Sequence, residues 1–251
     1  MSACIVVDIG NTSTSIGRYE DGAVSCIRAV RGGMASRPEN VDAALREAGA
    51  DDAERAVLAS VVPAATPHWI WLLRRLFSLE TLVLTHETPL PIGIRYPRPE
   101  TIGADRLADA CGAAARHGAP AIVADFGTAL TFDVLSRDRE YLGGVIAPGL
   151  PLMTNYLHEK TAKLPEIDLQ GDIEPIGTST ENAMRIGALV GHRGMVREVT
   201  RYLQETTGPG AVLCATGGYA RWALEGSGLD YMIEPDLTLF GLGVIHDHTR
   251  R

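Results

Sequence analysis

The chain has almost no lysine. Of its 23 basic residues only Lys160 and Lys163 are lysines, and neither lies near the glycine turns at Gly10 and Gly127. That excludes a phosphate loop built around a lysine at either turn. Cysteine is also scarce. Cys4, Cys26, Cys111 and Cys214 form no C-x-x-C pair and no zinc-ligand spacing, so they read as buried free thiols of a reducing cytosol. The start of the chain lacks a basic segment followed by an apolar one, so no signal peptide is expected. No apolar run approaches membrane-spanning length, and there is no Gly/Ser linker or low-complexity tract. From these absences a cytoplasmic protein with no membrane partner is expected. A net charge of −8 disfavours nucleic acid as a partner as well. With 251 residues, 45% hydrophobic and 22% charged, the chain has the composition of an ordinary globular protein of one large or two small domains.

Within that ordinary composition the chain repeats itself. Ile5-Val6-Val7-Asp8-Ile9-Gly10-Asn11-Thr12 and Ile122-Val123-Ala124-Asp125-Phe126-Gly127-Thr128-Ala129 both close a β-branched run with Asp-x-Gly and small polar residues. Asp8 and Asp125 are 125 − 8 = 117 positions apart. The elements around each copy run in similar order. In the first half, strands are predicted at Cys4–Asp8 and Ser13–Tyr19, with a third after the Asp21-Gly22 hairpin turn. A helix over Glu39–Ala48, a strand at Ala56–Val62, a helix over Pro67–Phe77, a strand at Thr81–Thr85 and an alanine-rich helix over Gly103–His117 follow. In the second half, strands are predicted at Ala121–Asp125, Leu130–Leu135 and Tyr141–Ile146, then a helix over Leu150–Lys160. Next come an irregular stretch at Leu164–Gly177, a long helix over Ser179–Thr206, a strand at Ala211–Ala215 and a last helix over Leu237–His246. The pattern predicts an α/β fold of two duplicated lobes, 1–118 and 119–251, with the last helix packing back on the first lobe.

Each Asp-x-Gly turn suits a phosphate. Glycine admits close backbone approach, and the N–H groups that follow, with the Asn11, Thr12, Thr128 and Thr131 side chains, donate to phosphate oxygens. Asp8 and Asp125, at strand ends, suit a hydrated magnesium or another cation. One such turn is more often an ordinary tight turn; two aligned copies favour a nucleotide in the cleft between halves. Thr216-Gly217-Gly218, after an apolar strand, leaves room for a flat ring such as adenine against the backbone. Gly103-Ala104-Asp105-Arg106 opens a helix. Asp105 reads either as an acid favoured by the helix dipole or as a carboxylate taking a proton from a substrate hydroxyl. Arg106 reads either as a partner of Asp109 or as an anion-binding group. The dipole argues against a strongly raised Asp105 pKa, which phosphoryl transfer does not require.

Together these segments resemble the type III pantothenate kinases, of the acetate and sugar kinase/Hsp70/actin superfamily. The resemblance spans essentially the whole chain. It rests on the two turns, on Gly103–Arg106, on Tyr141-Leu142-Gly143-Gly144-Val145-Ile146-Ala147-Pro148-Gly149, on Lys160–Pro165, on Thr216–Gly218 and on Pro235–Leu239. It implies duplicated ribonuclease H-like (actin-like ATPase) domains and ATP-dependent phosphorylation of pantothenate in a homodimer. Magnesium, or another divalent cation, would accompany ATP, with potassium or ammonium as monovalent cation. By resemblance, Asp105 is the general base. Asp8, Gly10, Asn11, Thr12, Gly127, Thr128, Ala129 and Thr131 hold phosphates, and Thr216, Gly217 and Gly218 hold adenosine. Asp125 serves the monovalent cation. Tyr96, Gly103, Arg106, His158 and Thr180 surround pantothenate, with Thr180 reaching the site from the partner subunit.

Taken alone, these last residues have plain readings too. His158 would be a surface or helix-packing residue, Tyr96 an anchor before Pro97, and Thr180 the N-cap of the long helix. The chain departs from the family's Tyr-Asp-Asn-Pro-Arg-Glu in reading Tyr96-Pro97-Arg98-Pro99-Glu100-Thr101, and it carries Arg197 where an Asp is usual. Two other functions fit the motifs less well: a non-catalytic transcriptional accessory factor, and another small-molecule kinase of the same superfamily.

Overall fold

Burial of the first strand on both faces sets up the architecture. A computed structural model describes residues 3–31, 38–169, 173–208 and 210–250, and the chain divides into two units. The first comprises 1–119, 135–143 and 236–251; the second comprises 120–134 and 144–235.

In the first unit, β1 (Cys4–Ile9) pairs antiparallel with β2 (Ser13–Glu20), which pairs with β3 (Ala23–Arg31). Asp21 and Gly22 both have positive φ (49° and 80°), the geometry that two-residue hairpins require. On its other side β1 pairs in parallel with β4 (Arg55–Ser60), and β4 with β5 (Glu80–Val83). Ile5, Val7 and Ile9 share a core with α1 (Pro38–Glu47) and α2 (Thr66–Phe77) through Val41, Leu45, Trp69 and Leu73. By the two-residue period, Val6 and Asp8 lie on the opposite face. There α3 (Ala104–Arg116) packs on α7 (Leu237–Thr249), and both meet the sheet. The α3–α7 contact is backbone-close. A Cβ on Gly241 would lie 1.9 Å from the Ala108 carbonyl oxygen, and one on Gly112 2.8 Å from that of Leu237. Arg116 donates to both carboxylate oxygens of Asp236 at 2.7 Å and stacks over Phe240 at 4.0 Å. Thr238 donates to Asp109 at 2.7 Å. The hydrogen-bonded Arg116 holds the Asp236 carboxyl below its ordinary value.

β6 (Gly93–Ile94) pairs in parallel with Glu140 and Tyr141, the first residues of β9 (Glu140–Pro148). In the second unit, β7 (Ala121–Phe126) is flanked by β8 (Ala129–Leu135) and by parallel β10 (Val212–Thr216), beyond which lies β11 (Met232–Ile233). The helices are α4 (Leu150–Lys160), α5 (Thr180–Thr207) and α6 (Ala220–Leu224). Arg193, on α5, donates to the Trp222 and Ala223 carbonyls at 3.2 Å and so ties α5 to α6.

Each strand and helix expected in the described residues is present, within a few residues of its predicted ends. Reasoning from periodicity missed β6, β11, the five-residue α6 and the 3₁₀ turns Ala50–Asp52 and Pro99–Thr101. Elements of two to five residues are too short to carry a period. Residues 170–172 of the expected irregular stretch lie outside the described residues. Among the described residues no helix is long and apolar enough to cross a membrane.

Candidate active site

Asp105 sits in the first turn of α3. Its Oδ1 accepts the Arg106 backbone N–H at 2.8 Å, which satisfies one of the helix's orphan donors. The residue before the helix explains why this fold-back is allowed. A Cβ on Gly103 would fall 2.4 Å from Asp105 Oδ1. Burial raises the Asp105 pKa; the Arg106 N–H, the Arg106 charge and the carboxyl's own backbone N–H oppose the rise. Desolvation outweighs hydrogen bonding and charge here, and the helix N-terminus expected to oppose a strong rise supplies the opposing N–H groups. Replacing Gly103 with Ala is expected to displace the carboxylate. The colliding atom is a side-chain tip, so stability should change by only about 1 kcal/mol from the altered N-cap. Misplacing the carboxylate should lower kcat roughly 10²-fold. Rate assays beside a thermal melt decide this, and a full-rate Gly103→Ala enzyme contradicts it.

Two of the acceptor-side residues meet one buried ring. Arg106 lies 5.9 Å from the centroid of the Tyr141 ring, and Tyr96 meets it edge-on at 6.2 Å. Gly103 and Asp105 adjoin Arg106 in the chain. The departure at Pro97–Thr101 keeps a closed turn. Thr101 donates from its backbone N–H and its hydroxyl to the Arg98 carbonyl, at 3.0 and 2.8 Å. Asp8, next to last in β1, is half-buried, and the Gly10 N–H closes the turn on the Ser13 carbonyl at 3.0 Å. Asn11 and Thr12 are exposed at its tip.

The other predicted residues belong to the second unit. There the Gly127 N–H donates to the Ala129 carbonyl at 3.1 Å. Asp125 pairs in register with Thr216. Gly217, at φ 91°, passes so close that a Cβ would lie 2.4 Å from Asp125 Oδ1 and 2.6 Å from the Phe126 backbone. The Thr216–Gly218 segment is thereby set beside the second turn, with Gly218 exposed. Gly149, the N-cap of α4, abuts the same turn, since a Cβ there would lie 2.3 Å from the Thr128 carbonyl oxygen. The Thr131 hydroxyl is buried without a hydrogen-bond partner.

His158, on α4, bonds through Nδ1 to the Leu164 carbonyl at 2.8 Å. A carbonyl only accepts, so Nδ1 carries the proton and Nε2 is left to face solvent. Thr180 is the first residue of α5. The helix is capped instead by Ser179, whose hydroxyl accepts the Asn182 N–H at 3.1 Å. Thr180 lines a largely apolar cavity of about 560 Å³ with Leu157, Leu164 and Met184. His158 and Thr180 thus share the Leu164 neighbourhood, while Tyr96, Gly103, Asp105 and Arg106 gather at Tyr141. Tyr141 and Gly149 were not among the expected site residues. Both lay in the recognised Tyr141–Gly149 segment, but no local pattern marked either one.

The described residues contain no group of three or more His, Cys, Asp or Glu side chains able to hold a metal. Asp125 is half-buried and stands opposite Thr216 in the strand register. A magnesium ion carried by nucleotide phosphates needs no protein cage, only one or two carboxylates.

Comparison with solved structures shows the same fold. A ROK family glucokinase from Streptomyces griseus, in complex with glucose and AMPPNP, superposes with a TM-score of 0.54 over 98% of each chain at 14% identity. A protein from Campylobacter jejuni described as a Baf family transcriptional activator gives 0.61 over 97% of each chain at 17% identity. The fold is that of the actin-like ATPases, two mixed sheets flanked by helices. The family pattern for type III pantothenate kinase matches residues 4–202. A type III pantothenate kinase of Akkermansia muciniphila is 44% identical over 76% of this chain and 77% of its own. One from Dehalococcoides mccartyi is 36% identical over 96% of this chain and 94% of its own. The chain belongs to the type III pantothenate kinase family and is a kinase.

Proposed function

We propose that the chain transfers the γ-phosphoryl group of ATP to the 4′-hydroxyl of pantothenate, the first step of coenzyme A synthesis. One observation carries the chemistry: a half-buried Asp105 carboxylate held at the head of α3 beside Arg106. Asp105 orients the hydroxyl and takes its proton as the oxygen bonds to phosphorus and ADP leaves. Arg106 binds the pantothenate carboxylate, with Tyr96, Gly103 and His158 around the rest of the molecule. A loose transition state asks for positioning and charge stabilisation more than for a strong base. In the absence of a phosphate-loop lysine, that stabilisation comes from backbone N–H groups of the Gly10 and Gly127 turns. Asp8, Asn11, Thr12, Thr128, Ala129 and Thr131 complete the phosphate contacts. Thr216, Gly217 and Gly218 receive adenosine. Asp125 would hold potassium or ammonium, and magnesium bound with ATP would supply charge neutralisation at the phosphates.

The enzyme works as a cytoplasmic homodimer, with the partner subunit's Thr180 completing the acceptor site. Exposed apolar residues on α4 and α5, Leu152, Tyr156 and Val190, support that association. The relatives do not favour a transcriptional accessory role. A coupled ADP-release assay with and without pantothenate, in potassium and in sodium buffer, tests the reading. Pantothenate-dependent ADP, faster in potassium, is expected. No pantothenate-dependent ADP in either buffer sinks it.

A further inference from the structure

Tyr141 is wholly buried although it carries a hydroxyl, and two of the acceptor-side residues converge on its ring. The Arg106 guanidinium stands 5.9 Å from the ring centroid, within cation–π range. Tyr96 packs edge-on at 6.2 Å, with planes at 67°. Backbone pairing sets both approaches. Ile94 pairs with Tyr141, and the Arg95 N–H donates to the Tyr141 carbonyl at 2.9 Å, so Tyr96 follows directly from a segment fastened to β9. Gly143, at φ 108°, lets the Tyr96 ring lie on the strand; a Cβ there would stand 2.9 Å from Tyr96 Cε2. Arg106 follows Asp105 in the first turn of α3, so whatever holds the guanidinium also constrains the base beside it.

We propose that Tyr141 is a positioning residue for the acceptor: its ring is the platform that sets Arg106 and Tyr96 in place to receive an anionic, hydroxyl-bearing substrate. The proposal rests on pantothenate being the acceptor. It adds that affinity for the acceptor's carboxylate depends on a ring that does not itself touch the substrate. An aromatic platform is what matters, so Phe should serve where Leu does not.

The experiment compares Tyr141→Leu, Tyr141→Phe, Arg106→Ala and the Tyr141→Leu/Arg106→Ala double variant by steady-state kinetics with pantothenate and with ATP. Loss of a cation–π contact and an aromatic pair is expected to raise the pantothenate KM of Tyr141→Leu about tenfold. Its ATP KM should stay near that of the wild type, and Tyr141→Phe should restore the pantothenate KM to within about threefold. In the Arg106→Ala background, Tyr141→Leu should raise the pantothenate KM by a smaller factor than in the wild type, because the cation–π part of its effect is already gone and only the Tyr96 contact remains to be lost. Gly143→Ala, which forces the Tyr96 ring to move without emptying the core, should also raise the pantothenate KM, and it serves if Tyr141→Leu fails to fold. The proposal is overturned by an unchanged pantothenate KM in Tyr141→Leu or in Gly143→Ala. Equal rises for ATP and pantothenate, or full additivity with Arg106→Ala, overturn it as well. Wild-type turnover with pantothenate reports on the assigned reaction, whereas ratios among active variants report on Tyr141, so the two fail separately.

Discussion

Asp105→Asn should lose turnover and keep its nucleotide. Amide and carboxylate are nearly isosteric, and the amide oxygen can still accept the Arg106 N–H that holds the side chain at 2.8 Å. Helix α3 is therefore expected to start unchanged. What disappears is a group able to take the hydroxyl proton, a contribution of about 10²–10⁴ in rate. ATP affinity, measured by nucleotide titration, should stay at the wild-type value, and full turnover by the purified variant would remove Asp105 from its role. The pH profile supplies a second check. The base works only when deprotonated, so activity should fall as pH drops through its pKa. Burial raises that pKa, which puts the acid limb above the ordinary carboxylate value of 3.8. A limb at or below that value would mean the carboxyl is better solvated than the structure shows.

The second large effect is on stability. Gly241→Ala inserts a Cβ at 1.9 Å from the Ala108 carbonyl oxygen, between two helices already in backbone contact. A mid-helix glycine normally costs about 1 kcal/mol relative to alanine. In open space the exchange would therefore stabilise. Here the obstacle is backbone and cannot swing aside, so α3 and α7 must separate. Overpacking of this kind costs about 3 kcal/mol, or roughly 6–12 °C in Tm for a chain of this length. Gly191→Ala is the control. It lies in α5 with no atom within 4 Å of its Cβ position and should stabilise by about 1 kcal/mol. Equal melting temperatures for the two variants would contradict the close α3–α7 contact. Because α3 carries Asp105 and Arg106 at its head, residual Gly241→Ala enzyme should also turn over more slowly.

These two sites differ in how far they can be read from the chain alone. Asp105 was legible because its signals are local: a glycine, an acid and an arginine within four residues at the start of an alanine-rich helix. The two Asp-x-Gly turns were legible for the same reason, each being a β-branched run with the glycine it needs. Gly241 lay inside an apolar run with nothing to show that another helix's carbonyl would meet it. That burial raises the Asp105 pKa was not legible, because the dipole of its own helix is a sequence-level quantity, whereas burial depends on what the rest of the fold places around the carboxyl. Thr180 was open to an N-cap reading because Ser179 and Thr180 are both good caps; only the Ser179 hydrogen bond to Asn182 chose between them.

The amino-acid sequence by itself determined the repeated strand–turn units, nearly all the long elements and the family, because periodicity, turn residues and motifs act over a few neighbouring positions. Tertiary structure alone decided which distant backbones touch. The two-residue strand β6 fastens the Tyr96 segment to β9, Tyr141 becomes the surface that Arg106 and Tyr96 share, and Gly217 reaches Asp125 across paired strands. Such contacts arise from strand register and helix packing between segments far apart in the chain, and no local pattern of residues encodes them.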